Sequence, residues 1–98
     1  MENKAIIIFN ITKRKFSVDL EVPLDISANE LVVGLNTAYD LGIDVSDVKN
    51  CYLKAENPIA LLKGNKQLLD YGVRNGTVIN FTEWGLIYEV RLFNKNIK

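Results

Sequence analysis

LLDYGVRNGTVINF, residues 68–81, carries the punctuation of a small domain's last turn and last strand. Leu68 to Gly72 is long enough for one helical turn, and Gly72 stops it. Asn75-Gly76 is a turn dipeptide, and the β-branched and aromatic run TVINF is the strand that it launches.

Working back from this stretch, IALL at 59–62 is a short strand with Asn57-Pro58 before it and Gly64-Asn65 after it. CYLKAE at 51–56 alternates, with Cys51, Leu53 and Ala55 on one side. Residues 44–49 are acidic and irregular, with a short turn beginning near Ser46. SANE at 27–30 opens a helix. Ser27 can accept from the N–H of Glu30, and Glu30 can reach back to Ser27, which makes a capping box. Ala28, Leu31, Val32, Leu35, Ala38 and Tyr39 then form one apolar stripe at helical spacing. Gly42 is placed as the left-handed residue past the helix end, with Ile43 packing back. Gly34, inside the helix, costs about 1 kcal/mol relative to Ala, and close packing against a sheet is the expected reason for it. Before Pro23, FSVDLEV at 16–22 alternates strictly and reads as a half-buried strand. The polar turn TKRK joins it to AIIIFNI at 5–11, apolar on both faces and therefore a central strand.

The bulk numbers fit one soluble domain: 98 residues, 48% hydrophobic, 24% charged. Twelve basic residues balance twelve acidic ones, so no global charge favours nucleic acid or an acidic membrane surface. No apolar run approaches the roughly 18 residues of a membrane span. Met-Glu-Asn-Lys runs straight into a strand, so no secretory signal is expected and the address is read as cytoplasmic. The chain has no His, a single Cys and only scattered Gly residues. That removes the commonest general base and metal ligand, a zinc cluster and a phosphate loop. The aspartates at 25, 40, 44 and 47 are too dispersed for a calcium loop. The expectation is no catalytic residue, no metal and no cofactor: not an enzyme.

Hairpin, helix, two short strands, one helical turn and a final strand make an α+β fold, a mixed four- or five-stranded sheet whose one helix lies across one face. This order, with Leu68, Asp70-Tyr71-Gly72, Val73, Asn75-Gly76 and Ile79/Phe81, resembles the β-grasp, or ubiquitin-like, fold. The resemblance implies that the Tyr71 hydroxyl anchors the preceding loop. ISANELVVGLNTAYDLGID, NCYLKAENPIALLKGN and LLDYGVRNGTVINF together look like the bacterial YukD-like group, ubiquitin-fold proteins associated with type VII secretion in Gram-positive bacteria. The match covers roughly residues 5–83. The domain is accordingly set at 1–83, with 84–98 as a C-terminal extension. Ubiquitin is conjugated through a C-terminal diglycine, whereas this sequence ends NKNIK and contains no Gly-Gly pair. Conjugation and sulfur-carrier chemistry are not expected, and the YukD-like group likewise lacks that tail.

What the resemblance implies is a non-enzymatic, cytoplasmic interaction module, an accessory or regulatory part of a type VII secretion system with a protein of that machinery as partner. Strand alternation puts Ile7, Phe9 and Ile11 under the helix. It leaves Ile6, Ile8, Tyr52, Lys54, Val78 and Asn80 as a candidate partner-binding surface on the other face. In the tail, LIYEVRLF alternates with Tyr88, Val90 and Leu92 on one side, while Leu86, Val90, Phe93 and Ile97 fit a helix equally well. As a strand it adds to the edge of the sheet, covers Ile6 and Ile8, or pairs with a second copy or another protein. Homodimerisation through the tail stays open, and so, separately, does indirect membrane association. Trp84 reads as a packing anchor, and Cys51 as an inert core thiol. Thr12-Lys13-Arg14-Lys15 supports the alternative, an adaptor for nucleic acid or a membrane surface, but no aromatic interleaves it and nucleic acid is not expected.

Overall fold

The computed structural model of the chain describes residues 3–82. Five strands and one α-helix follow in the order β1 (Lys4–Ile11), β2 (Phe16–Pro23), α1 (Ala28–Tyr39), β3 (Leu53–Glu56), β4 (Ala60–Leu62) and β5 (Val78–Phe81). One sheet holds all five strands in the order β2-β1-β5-β3-β4. β1 and β5 run parallel, and the other neighbours are antiparallel. The first and last strands are thus adjacent, which is the ubiquitin-like arrangement.

Burial separates the two faces. Ile7, Phe9 and Ile11 of β1 are sealed in a core with Leu53, Leu62 and Ile79 from the sheet and Leu31, Val32 and Leu35 from α1. Each such side chain contributes about 2–3 kcal/mol when fully removed from water. Together they exceed what one amphipathic helix or one hairpin could bury alone.

The ends of α1 are closed from within the fold. Ser27 Oγ accepts from the Glu30 N–H at 3.0 Å, and Glu30 Oε1 accepts from the Ser27 N–H at 2.8 Å. The next two free donors, the N–H groups of Ala28 and Asn29, go to the carbonyls of Lys66 and Gly64, both at 2.9 Å. At the other end Asp40 takes the left-handed conformation, φ 54°, and donates its N–H to the Asn36 carbonyl. The Asn36 amide exchanges two hydrogen bonds with the Ile43 backbone, fixing the exit loop.

Several expectations need correction. Gly42 does have positive φ, 77°, but the cap comes two residues earlier at Asp40. Asp tolerates the left-handed region better than most side chains. Gly34 is exposed, and a Cβ there would meet nothing within 4 Å, so close packing does not account for it. Ala38 is also exposed, and the stripe continues through half-buried Tyr39 instead. Tyr39 stacks at a tilt on Phe9 and Phe16, with centroids 5.3 and 5.5 Å away. The strand expected over 51–56 begins at Leu53. The TKRK turn is a 3-10 turn, Thr12–Arg14, closed by Lys15 at φ 53°.

The quoted C-terminal stretch is built largely as read, except that its strand begins at Val78 and not at Thr77. Leu68–Tyr71 is one 3-10 turn, capped by Gly72 at φ 82°. The Tyr71 hydroxyl donates to the Lys63 carbonyl at 2.7 Å and lies 3.4 Å from the Lys63 N–H, so it anchors the loop before it. Asn75 and Gly76 extend the β1–β5 ladder. The Ile6 N–H donates to Asn75 Oδ1 at 2.7 Å, and the Gly76 N–H donates to the Ile6 carbonyl at 2.9 Å. The expected extension over 84–98 lies outside the described residues, and with it Trp84, Tyr88, Val90 and Leu92.

Candidate functional site

The sheet face opposite α1 is the candidate site. Register assigns its residues in rows. Asp19, Ile8, Val78 and Glu56 lie side by side across β2, β1, β5 and β3. In the next row are Ser17, Asn10, Asn80, Lys54 and Leu61, reaching β4. Glu21 lies opposite Ile6.

Of the expected partner-binding residues, Ile6 is 53% exposed and Lys54 is exposed. Ile8, Val78 and Asn80 are half-buried. The structure brings Ile8 against Val78 and Lys54 against Asn80. Tyr52 shares the outward phase but sits one residue before β3 and is half-buried. Asn80 is already engaged. It accepts from the Asn10 amide at 2.9 Å and donates to Glu56 Oε2 at 3.0 Å. Asn10, Asn80 and Glu56 therefore form a fixed polar lane across three strands, with Ile6, Ile8 and Val78 on one side of it.

On its other side lies a groove of about 750 Å³ whose lining includes Thr12, Lys54, Glu56, Ile59, Leu61, Asn80 and Thr82. Ile59 is 90% exposed and Leu61 44%. Sequence reasoning named Lys54 and Asn80 of this groove but missed Ile59 and Leu61, along with Asn10, Glu56 and the acidic border of Asp19 and Glu21. For Leu61 the signal was its place between inward-facing neighbours in a three-residue strand. For the border it was the outward phase of SVDLE.

Of the remaining candidates, Arg14 and Cys51 take structural roles. The Arg14 guanidinium donates to the carbonyls of Tyr39 and Asp40 at 2.7 and 2.8 Å, closing the C-terminal end of α1. The basic turn keeps Lys13 and Lys15 exposed, while its arginine serves the helix. Cys51 is buried, its thiol 3.4 Å from Asn29 Oδ1. Burial first, then the nearby Asp44 and Asp47 charges, push that thiol's pKa up, away from the reactive thiolate. Asp44 Oδ1 accepts from the Ser46 hydroxyl at 2.6 Å and from its N–H at 3.0 Å. These bonds hold the carboxyl below its ordinary range. Thr77 is fully buried, accepting from the Arg74 N–H and donating to the Asn57 carbonyl. Among the described residues no group of three or more His, Cys, Asp or Glu is placed to hold a metal ion. No helix among them is long and apolar enough to cross a membrane.

Comparison with known proteins adds the family. The model of the family described as "WXG100 protein secretion system (Wss), protein YukD" matches residues 6–80. No curated protein matches the sequence. Solved structures with the same architecture are ubiquitin-like domains. The domain from tubulin-binding cofactor B is 22% identical with a TM-score of 0.64, covering 82% of this chain and 89% of that one. The C-terminal ubiquitin-like domain of mouse tubulin-specific chaperone e is 15% identical at 0.63, covering 81% and 84%. The corresponding domain of Plasmodium falciparum Dsk2 is 19% identical at 0.53, covering 79% and 96%. At these identities the likeness establishes the fold alone.

Proposed function

Because the chain belongs to the YukD family of the WXG100 protein secretion system, we propose that it is a non-enzymatic, cytoplasmic interaction module of that type VII apparatus, an accessory or regulatory component. It docks a protein of the machinery on the open sheet face, centred on Ile6, Ile8 and Val78 and bordered by Lys54 and Asn80. No bond is made or broken; a preformed rigid surface is offered. Residues 1–83 act as the docking domain and 84–98 as its extension.

The observation that carries this reading is the apolar cluster of Ile6, Ile8 and Val78 on a face that α1 does not cover. Outward apolar clusters on a rigid sheet mark contacts more often than chance does. The Asn10–Asn80–Glu56 lane gives the cluster a fixed polar edge, and such an edge sets orientation more than affinity.

The register also chooses the test. Ile8 lies opposite Asp19 and Val78 opposite Glu56, so Asp at either position would add like-charge repulsion across strands. Lys at these positions would instead face an opposite charge, so the fold is expected to stay intact. With a photo-crosslinking residue at position 6, the protein in its native host should capture a component of the secretion apparatus, and Ile8→Lys with Val78→Lys should abolish the crosslink. Capture that persists in the folded double variant, or no component of the apparatus among the products, overturns the reading.

A further inference from the structure

We infer that the outer edge of β2 takes up an extended segment of a partner protein, apolar and basic at alternate positions, laid between β2 and α1 as a further strand of the sheet. This goes beyond the open face and does not depend on it. Three observations carry it.

The first is the edge itself. β2 is an outermost strand and eight residues long. The Leu24 N–H donates to the Asn3 carbonyl at 2.7 Å, which sets the phase of the β1–β2 ladder. Bonded and non-bonded pairs alternate along an antiparallel ladder. Val18, Leu20 and Val22 therefore turn their backbone groups to β1, and Ser17, Asp19 and Glu21 turn theirs outward. Such a row of N–H and C=O groups is a template for another strand. The second is a step in burial. On the helix side of β1, Ile7, Phe9 and Ile11 are sealed. Their partners on β2 are less covered: Leu20 and Val18 are half-buried and Phe16 is exposed. An added strand with apolar residues on that side would complete the cover.

The third is Gly34. It is exposed, it costs the helix about 1 kcal/mol relative to Ala, and a Cβ there would meet nothing within 4 Å. At about 100° per residue, Gly34 and Ala38 lie on the flank of α1 away from Asn29. Asn29 meets the Cys51 thiol through Oδ1 and the Gly64 carbonyl through its N–H, beside β3 and β4. Gly34 and Ala38 therefore border the β2 side. Neither carries a side chain beyond Cβ, and a glycine admits the close approach of another backbone.

Charge selects the occupant. Asp19 and Glu21 point to the face away from α1, opposite Ile8 and Ile6. An added strand sets its residues on that face against two carboxylates, which favours Lys or Arg there. The same carboxylates oppose a second copy. Two-fold pairing centred on Asp19, Leu20 or Glu21 would set carboxylate against carboxylate.

The probe is an end-blocked octapeptide alternating Val and Lys, followed by amide NMR. In the free chain the amides of Ser17, Asp19 and Glu21 should exchange rapidly. At saturation they should shift and their exchange should slow at least tenfold, while those of Ile59 and Leu61 stay in place. A Val-Glu octapeptide should not bind. Gly34→Gln with Ala38→Gln places good helix formers at exposed positions. The urea midpoint should hold or rise, while the Kd for the Val-Lys peptide should rise at least tenfold. Slow exchange of the three amides in the free chain would overturn the inference, because the edge would already be taken. So would the absence of shifts, equal binding of the Val-Glu peptide, or unchanged affinity in the folded double variant. The measurements on the unaltered chain stand whatever the variant does. Neither position 6 nor any secretion component enters the assay, so its failure is distinguishable from failure of the crosslinking test above.

Discussion

Replacing three consecutive isoleucines of β1 by lysine, one at a time, tests the two-faced sheet on which the docking surface depends. Ile7 is fully buried. Ile7→Lys forfeits about 2–3 kcal/mol of apolar burial and adds several kcal/mol for an ammonium taken out of water without a partner. A domain of this size is stable by roughly 5–15 kcal/mol, so the variant should be largely unfolded in dilute buffer. Ile6 is 53% exposed, so Ile6→Lys loses only about 1 kcal/mol of burial. The lysine stem still covers the strand, and its charge faces Glu21, a cross-strand pairing worth about 0.2–1 kcal/mol. The net change should be under about 1 kcal/mol. Ile8, half-buried and opposite Asp19, should fall between the two, at about 1–2 kcal/mol. Urea unfolding followed by circular dichroism measures all three, and with m of about 1–2 kcal/mol/M the Ile6→Lys midpoint should move by less than about 1 M. If Ile6→Lys unfolds as readily as Ile7→Lys, or if Ile7→Lys keeps the parental midpoint, then the face taken as open is core and the docking surface does not exist.

Gly34→Ala should raise stability by about 0.5–1 kcal/mol, since the position is an exposed helix interior with nothing within 4 Å of the added Cβ; a lower urea midpoint would contradict this. Tyr71→Phe should lower stability by about 1 kcal/mol and speed amide exchange across residues 63–67, because it removes the hydroxyl that holds the Lys63 carbonyl; unchanged exchange there would speak against the anchor. Asp44 has a folded pKa below its reference of 3.8, so its contribution is present above that value and lost as pH falls through the lowered one. A carboxyl-carbon NMR titration should place its midpoint below 3.8, and Ser46→Ala should move it part of the way back; an unaltered midpoint at or above 3.8 would remove the local cap as the cause.

The fold was legible in the sequence wherever the signal was local. The capping box lies within four residues, the β1 core face within one strand, and the Tyr71–Gly72 turn within one helical turn. What the sequence withheld was set by partners far along the chain. Alternation assigns Leu61 a side but not a neighbour; only the register with Lys54, and of Lys54 with Asn80, turns it into the wall of a groove. The acidic edge was likewise invisible as an edge until β2 was seen as the outermost strand. Gly34 was misread because helical spacing locates the middle of the buried stripe well and its margins poorly. Arg14 looked like part of a basic turn because its true partners, the carbonyls of residues 39 and 40, are backbone groups that no side-chain pattern announces.

The apolar residues of the open face do not all carry equal weight as signs of a contact. Ile6, Ile8 and Val78 are β-branched residues in strands, and strand propensity accounts for part of their presence at half-wet positions. Leu61 has less of that excuse, and Ile59 has none. Ile59 lies in the turn between β3 and β4, outside either strand, and is 90% exposed. Turns of this kind favour Gly, Asn, Asp and Ser for backbone reasons that do not apply to isoleucine. Its side chain therefore stabilises neither the turn nor the core, while it keeps an apolar surface in water. Of the apolar side chains on this face, Ile59 is the one least explained by folding, and it lies on the groove rather than on the Ile6–Ile8–Val78 cluster. The free energy that an occupant gains there comes from surface the fold left uncovered, so covering it should change binding while leaving the unfolding midpoint of the described domain almost where it was.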